Sequence, residues 1–193
     1  MAVSWRFDGN DLLSGVGDGW DEYALSNEGG ACVPAPLGRS LADFTSSSDL
    51  CVVWQAILGQ ARRRRGRPVI LTYRCDAPDE RRIMRATVTG HPGGEVEIVS
   101  SLQHYQPRPP VPLLAQPAGA GDELIKMCAW CARIQADGWV DVEEGCRRLN
   151  LLEADPEDLP AITHGICEDC RSAVMRGLDP SPDRELAEVT HGG

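Results

Sequence analysis

Two pairs of cysteines with identical spacing constrain this chain more than any other feature of its sequence. Cys128 and Cys131 form one Cys-x-x-Cys pair, Cys167 and Cys170 form the other, and 35 residues separate the two pairs. A two-residue spacer lets one tight turn direct both sulfurs at the same point, and a tetrahedral ion needs two such pairs. The spacing therefore predicts a structural Zn²⁺ site with four thiolate ligands in the C-terminal third of the chain.

Two other chemistries are compatible with the same cysteine pattern. Iron–sulfur clusters also take four thiolates, and paired cysteines can exchange electrons as redox-active dithiols. The dithiol alternative expects a Cys-x-x-Cys pair between a strand and a helix of a βαβ unit, and the sequence pattern does not indicate that setting. A catalytic zinc is disfavoured because four thiolates leave no coordination position for water.

The N-terminus and the hydropathy of the chain bear on its compartment. The first eight residues lack the basic and apolar segments of a secretory signal, so we expect a cytoplasmic protein whose eight cysteines stay reduced. No run of 18 apolar residues occurs, and a membrane-spanning helix is therefore not expected. With 193 residues and 42% apolar content, the chain is long enough for one large domain or two small ones.

The negative charge is concentrated at the cysteine-rich end. Of the formal net charge of −10, residues 122–193 carry −9, from 7 basic and 16 acidic side chains. Phosphate backbones repel such a surface, which disfavours the alternative of a zinc-ribbon-like regulator that binds nucleic acid. A basic protein surface is the better match to this end of the chain.

A proline- and glycine-rich stretch divides the sequence. Residues 106–121 contain Pro107, Pro109, Pro110, Pro112 and Pro117, and prolines favour an extended, semi-rigid backbone. We therefore predict a first domain over residues 1–105, a linker over 106–121 and a cysteine-rich module over 122–175. Residues 176–193 are expected to form an acidic, flexible tail.

The first domain shows the pattern of an α+β fold. Apolar residues recur on one face of a predicted helix that begins after Ser46–Asp49 and ends at Arg62–Arg65; they are Leu50, Val53, Trp54, Ile57, Leu58 and Ala61. A bend over Gly15–Gly19 and a short helix over Trp20–Ser26 precede it. Strands are predicted at Val3–Phe7, Pro68–Arg74, Arg82–Thr89 and Val96–Leu102. The short connections between the last three favour an antiparallel meander.

Two segments of the first domain resemble PAS domains, which are small sensor modules. Trp20–Ala24 is similar to a W-x-x-F/Y-A segment of that family, and Gly38–Phe44 is similar to its G-R-S-L-x-D-F segment. The resemblance implies a five-stranded antiparallel sheet with helices on one face and a small-molecule pocket between them. The candidate pocket residues are Trp20, Tyr23, Phe44, Trp54 and Met84. The alternative that they fill an ordinary core is favoured.

The cysteine-rich segment resembles a C-terminal module of bacterial PAS-containing signalling proteins. The similarity extends beyond the ligands to Ile134, Gly138 and Trp139 and to Thr163–Cys170. Glu168 stands where the module commonly has proline, a change that removes no ligand. Trp139 is expected to cover the metal, and His164 is expected to support the ligands rather than replace one of them.

No nucleophile–base motif, phosphate-binding glycine loop or kinase motif was found in the sequence, so an enzyme is not expected. The leading hypothesis is a cytoplasmic bacterial signalling protein with a PAS-like sensing or dimerisation domain and a zinc-stabilised interaction module. Its output would pass to a protein partner or to a second copy of the chain. The alternatives are the nucleic-acid regulator and, third, a thiol oxidoreductase.

Overall fold

The computed structural model describes residues 2–26, 30–45, 47–64, 66–115 and 123–178. The first part of the chain forms β1 (Ala2–Phe7), β2 (Leu13–Val16), α1 (Trp20–Ser26), α2 (Ser48–Arg64), β3 (Val69–Arg74), β4 (Glu80–Gly90) and β5 (Val96–Pro107). The second part forms β6 (Leu124–Cys128), β7 (Ile134–Gln135), β8 (Trp139–Val140), α3 (Val142–Arg148), β9 (Ala161–Gly165) and α4 (Glu168–Leu178). The predicted α+β class is therefore confirmed.

The first five strands form one antiparallel sheet in the order β2-β1-β5-β4-β3. Side chains alternate between its two faces, and on β5 Val96, Ile98 and Ser100 are buried while the residues between them are partly exposed. The buried face lies under α2. The predicted antiparallel sheet is thus present, with α2 covering one of its faces.

The apolar stripe of α2 explains its position on the sheet. Leu50, Val53, Ile57, Leu58 and Ala61 are buried against the strands, as their helical spacing predicts. The helix lies so close to β4 that a Cβ at Gly90 would be 2.4 Å from the Ala61 carbonyl oxygen. At its start, the Ser47 hydroxyl accepts a hydrogen bond from the Leu50 N–H (3.2 Å), which caps the first turn.

One part of the N-terminal prediction is wrong. Gly15 and Val16 belong to strand β2 rather than to a bend, because they pair with Arg6 and Trp5 of β1. Their glycine-rich composition indicates a turn, but pairing with β1 stabilises an extended backbone there. The short helix α1, by contrast, occupies Trp20–Ser26 as predicted.

The second part of the chain contains a small mixed sheet that the sequence pattern did not predict. Its strand order is β8-β7-β6-β9, and β6 pairs with β9 in parallel. Strands β7 and β8 have two residues each, too few to show a period. Behind this sheet, Ile134, Val142 and Cys146 form a core in which each is fully buried.

The predicted linker is partly packed structure. Its first two residues, Gln106 and Pro107, continue β5, and Val111 and Leu113 are buried (1% and 0% exposed) in the core of the second part. Proline content indicated an extended backbone, but the neighbouring apolar side chains anchor it. Residues 116–121 lie outside the described residues.

The predicted tail boundary is also shifted. Residues 176–178 are the last turn of α4, in which Leu178 is buried, and residues 179–193 lie outside the described residues. None of the helices in the described ranges has the length and apolar character that crossing a membrane requires.

The two parts of the chain share one apolar core. Cys128, Trp130 and Val174 of the second part belong to the same buried cluster as Val53 and Leu71 of the first. The packing of α4 against α2 extends this contact. The cysteine-rich module is therefore docked on the first domain and not merely tethered to it.

Candidate metal centre

The parallel pairing of β6 and β9 brings the two cysteine pairs together. Cys128 is the last residue of β6 and lies beside Gly165, the last residue of β9. Because parallel strands end at the same edge of a sheet, the chain leaves both strands on one side. Cys131 follows in the turn after β6, and Cys167 and Cys170 flank the start of α4.

The four sulfurs form a compact group. All four Sγ atoms lie within 4.8 Å of one another, and the Sγ atoms of Cys131 and Cys167 are 3.8 Å apart. Thiolates that bind a tetrahedral zinc at about 2.3 Å stand about 3.8 Å from each other. The residues present therefore fit a metal ion, and the four predicted ligands are brought to one place.

Backbone donors favour a thiolate at Cys128. The pKa of Cys128 is lowered to about 4, first by the hydrogen bond from the Cys131 thiol and then by the backbone N–H groups of Cys167, Cys131 and Trp130, although burial opposes this. The Cys167 N–H lies 3.4 Å from Cys128 Sγ. Protein dipoles thus stabilise negative charge at this sulfur before any cation is considered.

Two of the other thiols, Cys131 and Cys170, hold their protons more tightly than an ordinary cysteine. The hydrogen bond with Cys128, followed by burial, raises the pKa of Cys131, and burial with the Cys167 hydrogen bond raises the pKa of Cys170 to about 12. A cation would have to displace these protons, since thiolates rather than thiols bind metals. Four thiolates would also complete a tetrahedral shell, which suits a structural ion.

The residues expected around the ligands occupy different places. Trp139 packs against the cluster that contains Cys128 and Cys167, whereas His164 lies on an exposed position of β9. His164 is not in the group of mutually close ligand atoms.

Cys146 lies apart from the four-cysteine group. It is fully buried in the core with Ile134 and Val142, where burial raises the pKa of its thiol to about 11.

A second candidate site is an apolar cavity of about 310 Å³ in the first domain. Four of the five predicted pocket residues line it: Trp20, Tyr23, Phe44 and Trp54. Met84 is buried but is not among the lining residues. Met84 lies on β4 and pairs with Tyr73 of β3, which is the edge strand farthest from β2.

The walls of the cavity are built by aromatic contacts. Trp5 and Trp20 meet edge to face with ring centroids 6.2 Å apart, and Phe7 meets Phe44 at 6.4 Å. The Trp20 Nε1–H donates to the Cys32 carbonyl oxygen (2.9 Å), so this indole is held in place. Burial raises the pKa of Tyr23, which keeps its hydroxyl uncharged. The volume falls at the lower end of the range of small-molecule pockets.

Trp54 connects the cavity to the cysteine group. Its ring lines the cavity, and its centroid lies 5.6 Å from that of Trp130, which stands between Cys128 and Cys131. The Trp130 carbonyl oxygen also accepts a hydrogen bond from the Arg74 N–H at the end of β3 (2.9 Å). Trp130 is not among the predicted site residues, although a large apolar residue inside a Cys-x-x-Cys pair indicates a packing contact.

A buried ionic cluster forms a second connection between the two parts of the chain. Arg108 bridges Asp76 (3.1 Å) and Glu143 (2.9 Å), and the Arg108 and Asp76 side chains are only 5% and 1% exposed. Arg74 pairs with Asp76 and with Asp141 (3.1 Å). Burial acts to raise the pKa of Glu143, but hydrogen bonds with Asp141, Arg81 and Arg108 lower it below its usual range.

Arg108 lies in the predicted linker. No local pattern marks it as a site residue, because its partners Asp76 and Glu143 are distant in the chain.

Comparisons of this chain with protein-family models, with curated proteins and with solved structures find no match.

Proposed function

We propose that this chain is a small cytoplasmic signalling protein with a PAS-like sensor domain. The apolar cavity holds a small molecule, and a structural Zn²⁺ bound by Cys128, Cys131, Cys167 and Cys170 stabilises an interaction module docked on that domain. The observation that carries the proposal is the position of Trp54, which lines the cavity and contacts Trp130 of the first cysteine pair. Occupation of the cavity is thereby coupled to the metal-binding module.

The architecture supports the PAS-like assignment. A five-stranded antiparallel sheet with α2 over one face has the form that the resemblance implies, and the cavity lies between sheet residues such as Ile98 and helix residues such as Ala24. The two segments that resemble the family contribute Trp20, Tyr23 and Phe44 to its walls. An uncharged, largely apolar molecule suits these walls.

The chemistry of the cysteine group supports zinc in a structural role. Four sulfurs within 4.8 Å match a tetrahedral thiolate shell, and zinc with four thiolates has no free coordination position. Such an ion would supply folding free energy to a module whose sheet has two strands of only two residues. It would link β6 to the start of α4.

Metal analysis of the purified protein tests the zinc assignment. We expect one zinc per chain and no visible absorbance after expression in medium that contains both iron and zinc. Iron with visible absorbance would contradict the assignment in favour of a cluster, and a reduced protein without stoichiometric metal would contradict any four-thiolate site.

An apolar fluorescent probe tests the cavity. N-phenyl-1-naphthylamine should bind the full chain, and Ala24→Phe, which places a ring inside the cavity, should weaken binding at least about tenfold. Ala42→Phe is the matched control, because Ala42 is exposed and does not line the cavity. Equal binding by both variants would place the probe elsewhere.

Hydrogen exchange tests the coupling. When the probe binds, the backbone amides of residues 128–133 should exchange more slowly, since Trp54 transmits the change in packing to Trp130. Exchange at 142–148, in α3, provides the internal comparison. If the probe binds and exchange at 128–133 does not change, the cavity proposal stands but its coupling to the cysteine module is refuted.

A further inference from the structure

Among the residues that the structure describes, none covers the outer edge of β3 along its whole length. The sheet has two edge strands, β2 and β3. At the β2 edge, the Leu13 N–H donates to the Arg39 carbonyl (2.9 Å), and the Leu13 carbonyl accepts from the Gly38 N–H (2.8 Å). The chain therefore covers its β2 edge with its own backbone, as native sheets commonly do.

In the described part of the chain, a backbone hydrogen bond from another segment covers the β3 edge at Arg74. The Arg74 N–H donates to the Trp130 carbonyl, which shows that Arg74 points its backbone groups away from β4. Backbone groups alternate sides along a strand, so Thr72 and Ile70 point theirs to the same outer edge. Within the described ranges, neither residue makes a backbone hydrogen bond outside the sheet ladder.

A groove of about 300 Å³ runs beside this open edge. One wall is β3, and the other is formed by α4, including Val174 and Gly177, with Trp130 at the end near the cysteines. Its walls combine the backbone edge of β3 with small and apolar side chains of α4, which suits a peptide backbone rather than a purely apolar molecule. A chain laid along β3 would contact α4 with the side chains of one face.

Arg64 lines the end of the groove and supplies a charge. In the described part of the chain it makes no ion pair, whereas Arg62 pairs with Asp11 (2.7 Å) and Arg63 donates to the Gln60 side chain (3.0 Å). Arg64 is half-buried, and a guanidinium can bind a carboxylate through two parallel hydrogen bonds. The complementary occupant is therefore acidic at this end.

We propose that the groove binds an extended segment of a partner protein as an added strand on β3, with an acidic side chain of the partner paired to Arg64. Main-chain hydrogen bonds to Ile70 and Thr72 provide affinity, and the contact with Arg64 sets the register. This inference rests on the proposed function and deepens it, since it names the surface through which the protein contacts its partner.

Peptide selection on the full-length, metal-loaded protein tests the proposal. A phage-displayed library of random nine-residue peptides should yield sequences with alternating apolar residues and one shared acidic position. The affinity of a selected synthetic peptide should fall at least tenfold in Thr72→Pro, which removes an outward N–H at an edge position that tolerates proline. It should fall similarly in Arg64→Ala and stay within twofold in Arg63→Ala, the matched control.

Charge reversal keeps the test decisive if Thr72→Pro fails to fold. Arg64→Glu should lose the acidic peptide and gain at least tenfold for the same peptide with lysine at the shared position. Selection of no peptide, or peptides insensitive to these substitutions, would overturn the proposal. A dimer that Arg64→Glu dissociates, or tenfold tighter peptide binding after removal of 179–193, would overturn it in favour of a second copy or of the chain's own terminus.

Failure of this test is distinguishable from failure of the proposed function. Zinc content depends on the four cysteines and probe binding depends on the cavity residues, and Arg64, Ile70 and Thr72 belong to neither set. Zinc content and probe binding would remain normal in Arg64→Ala if only the docking proposal is wrong.

Discussion

The indole rings of Trp54 and Trp130 lie 5.6 Å apart between centroids, at an interplanar angle of 49°. Trp54 comes from α2 of the first domain, and Trp130 comes from the turn between the first two cysteines. Aromatic pairs at this separation are attractive beyond the area they bury. The contact makes the conformation of the turn between Cys128 and Cys131 depend on the packing of the first domain.

Truncation of the Trp130 side chain should therefore destabilise both parts of the protein against unfolding. Trp130 is 9% exposed, and we expect Trp130→Ala to lower the free energy of unfolding by about 3–5 kcal/mol, as measured by urea denaturation of the metal-loaded chain. Trp130→Phe should lose less, because a ring remains against Trp54 and Tyr73. A loss below about 0.5 kcal/mol for the alanine variant would show that the contact does not join the two parts.

Loss of one ligand should release the metal. Cys167→Ser removes a buried sulfur from the four-cysteine group, so bound metal should fall well below one ion per chain and the second part of the chain should become sensitive to protease. Cys51→Ser is the control, because Cys51 lies outside the group. Retention of full metal in Cys167→Ser would exclude the four-thiolate site.

Removal of Arg108 should destabilise the junction strongly. Arg108→Met leaves Asp76, whose side chain is 1% exposed, and Glu143 without this partner, and the expected cost is about 3–5 kcal/mol. Arg133→Met breaks only an exposed pair with Asp169, and its cost should stay below about 1 kcal/mol. Similar costs in the two variants would argue against a structural role of the buried cluster.

Glu143 should contribute to the dependence of stability on pH. Its pKa is lowered in the folded protein, so its stabilising effect is present above the unfolded value of about 4.3 and is lost as the pH falls toward the folded value. The difference in unfolding free energy between the wild type and Glu143→Gln should shrink from pH 7 to pH 3. Any loss of metal at low pH would affect both proteins and would cancel in the difference. A difference in unfolding free energy that does not change with pH would contradict this role of Glu143.

Two glycine substitutions should have opposite effects. In Gly90→Ala the added Cβ would meet the Ala61 carbonyl at 2.4 Å, and the forced separation of α2 from β4 should cost about 1–3 kcal/mol. In Gly177→Ala the added Cβ meets nothing within 4 Å, and higher helix propensity should stabilise α4 by up to about 1 kcal/mol. Thermal unfolding of both variants measures the contrast, and the same sign in both would contradict it.

Local patterns in the sequence were sufficient for much of the fold. The apolar stripe from Leu50 to Ala61 predicted α2, and the runs rich in β-branched residues predicted β3, β4 and β5 with ends shifted by a few residues. The spacing of Cys128, Cys131, Cys167 and Cys170 identified the four sulfurs that the fold brings together. These features were readable because each depends on residues near one another in the chain or on one ligand geometry.

Tertiary structure alone decided how the two parts meet. The parallel pairing of β6 with β9, the contact of Trp130 with Trp54 and the burial of Arg108 between Asp76 and Glu143 join residues that are 30 or more positions apart. No local period records such contacts, because their energy comes from shared burial and charge pairing after the chain has folded. The sequence by itself determined which sulfurs form the candidate site, and the packing determined that this site is built against the cavity-bearing domain.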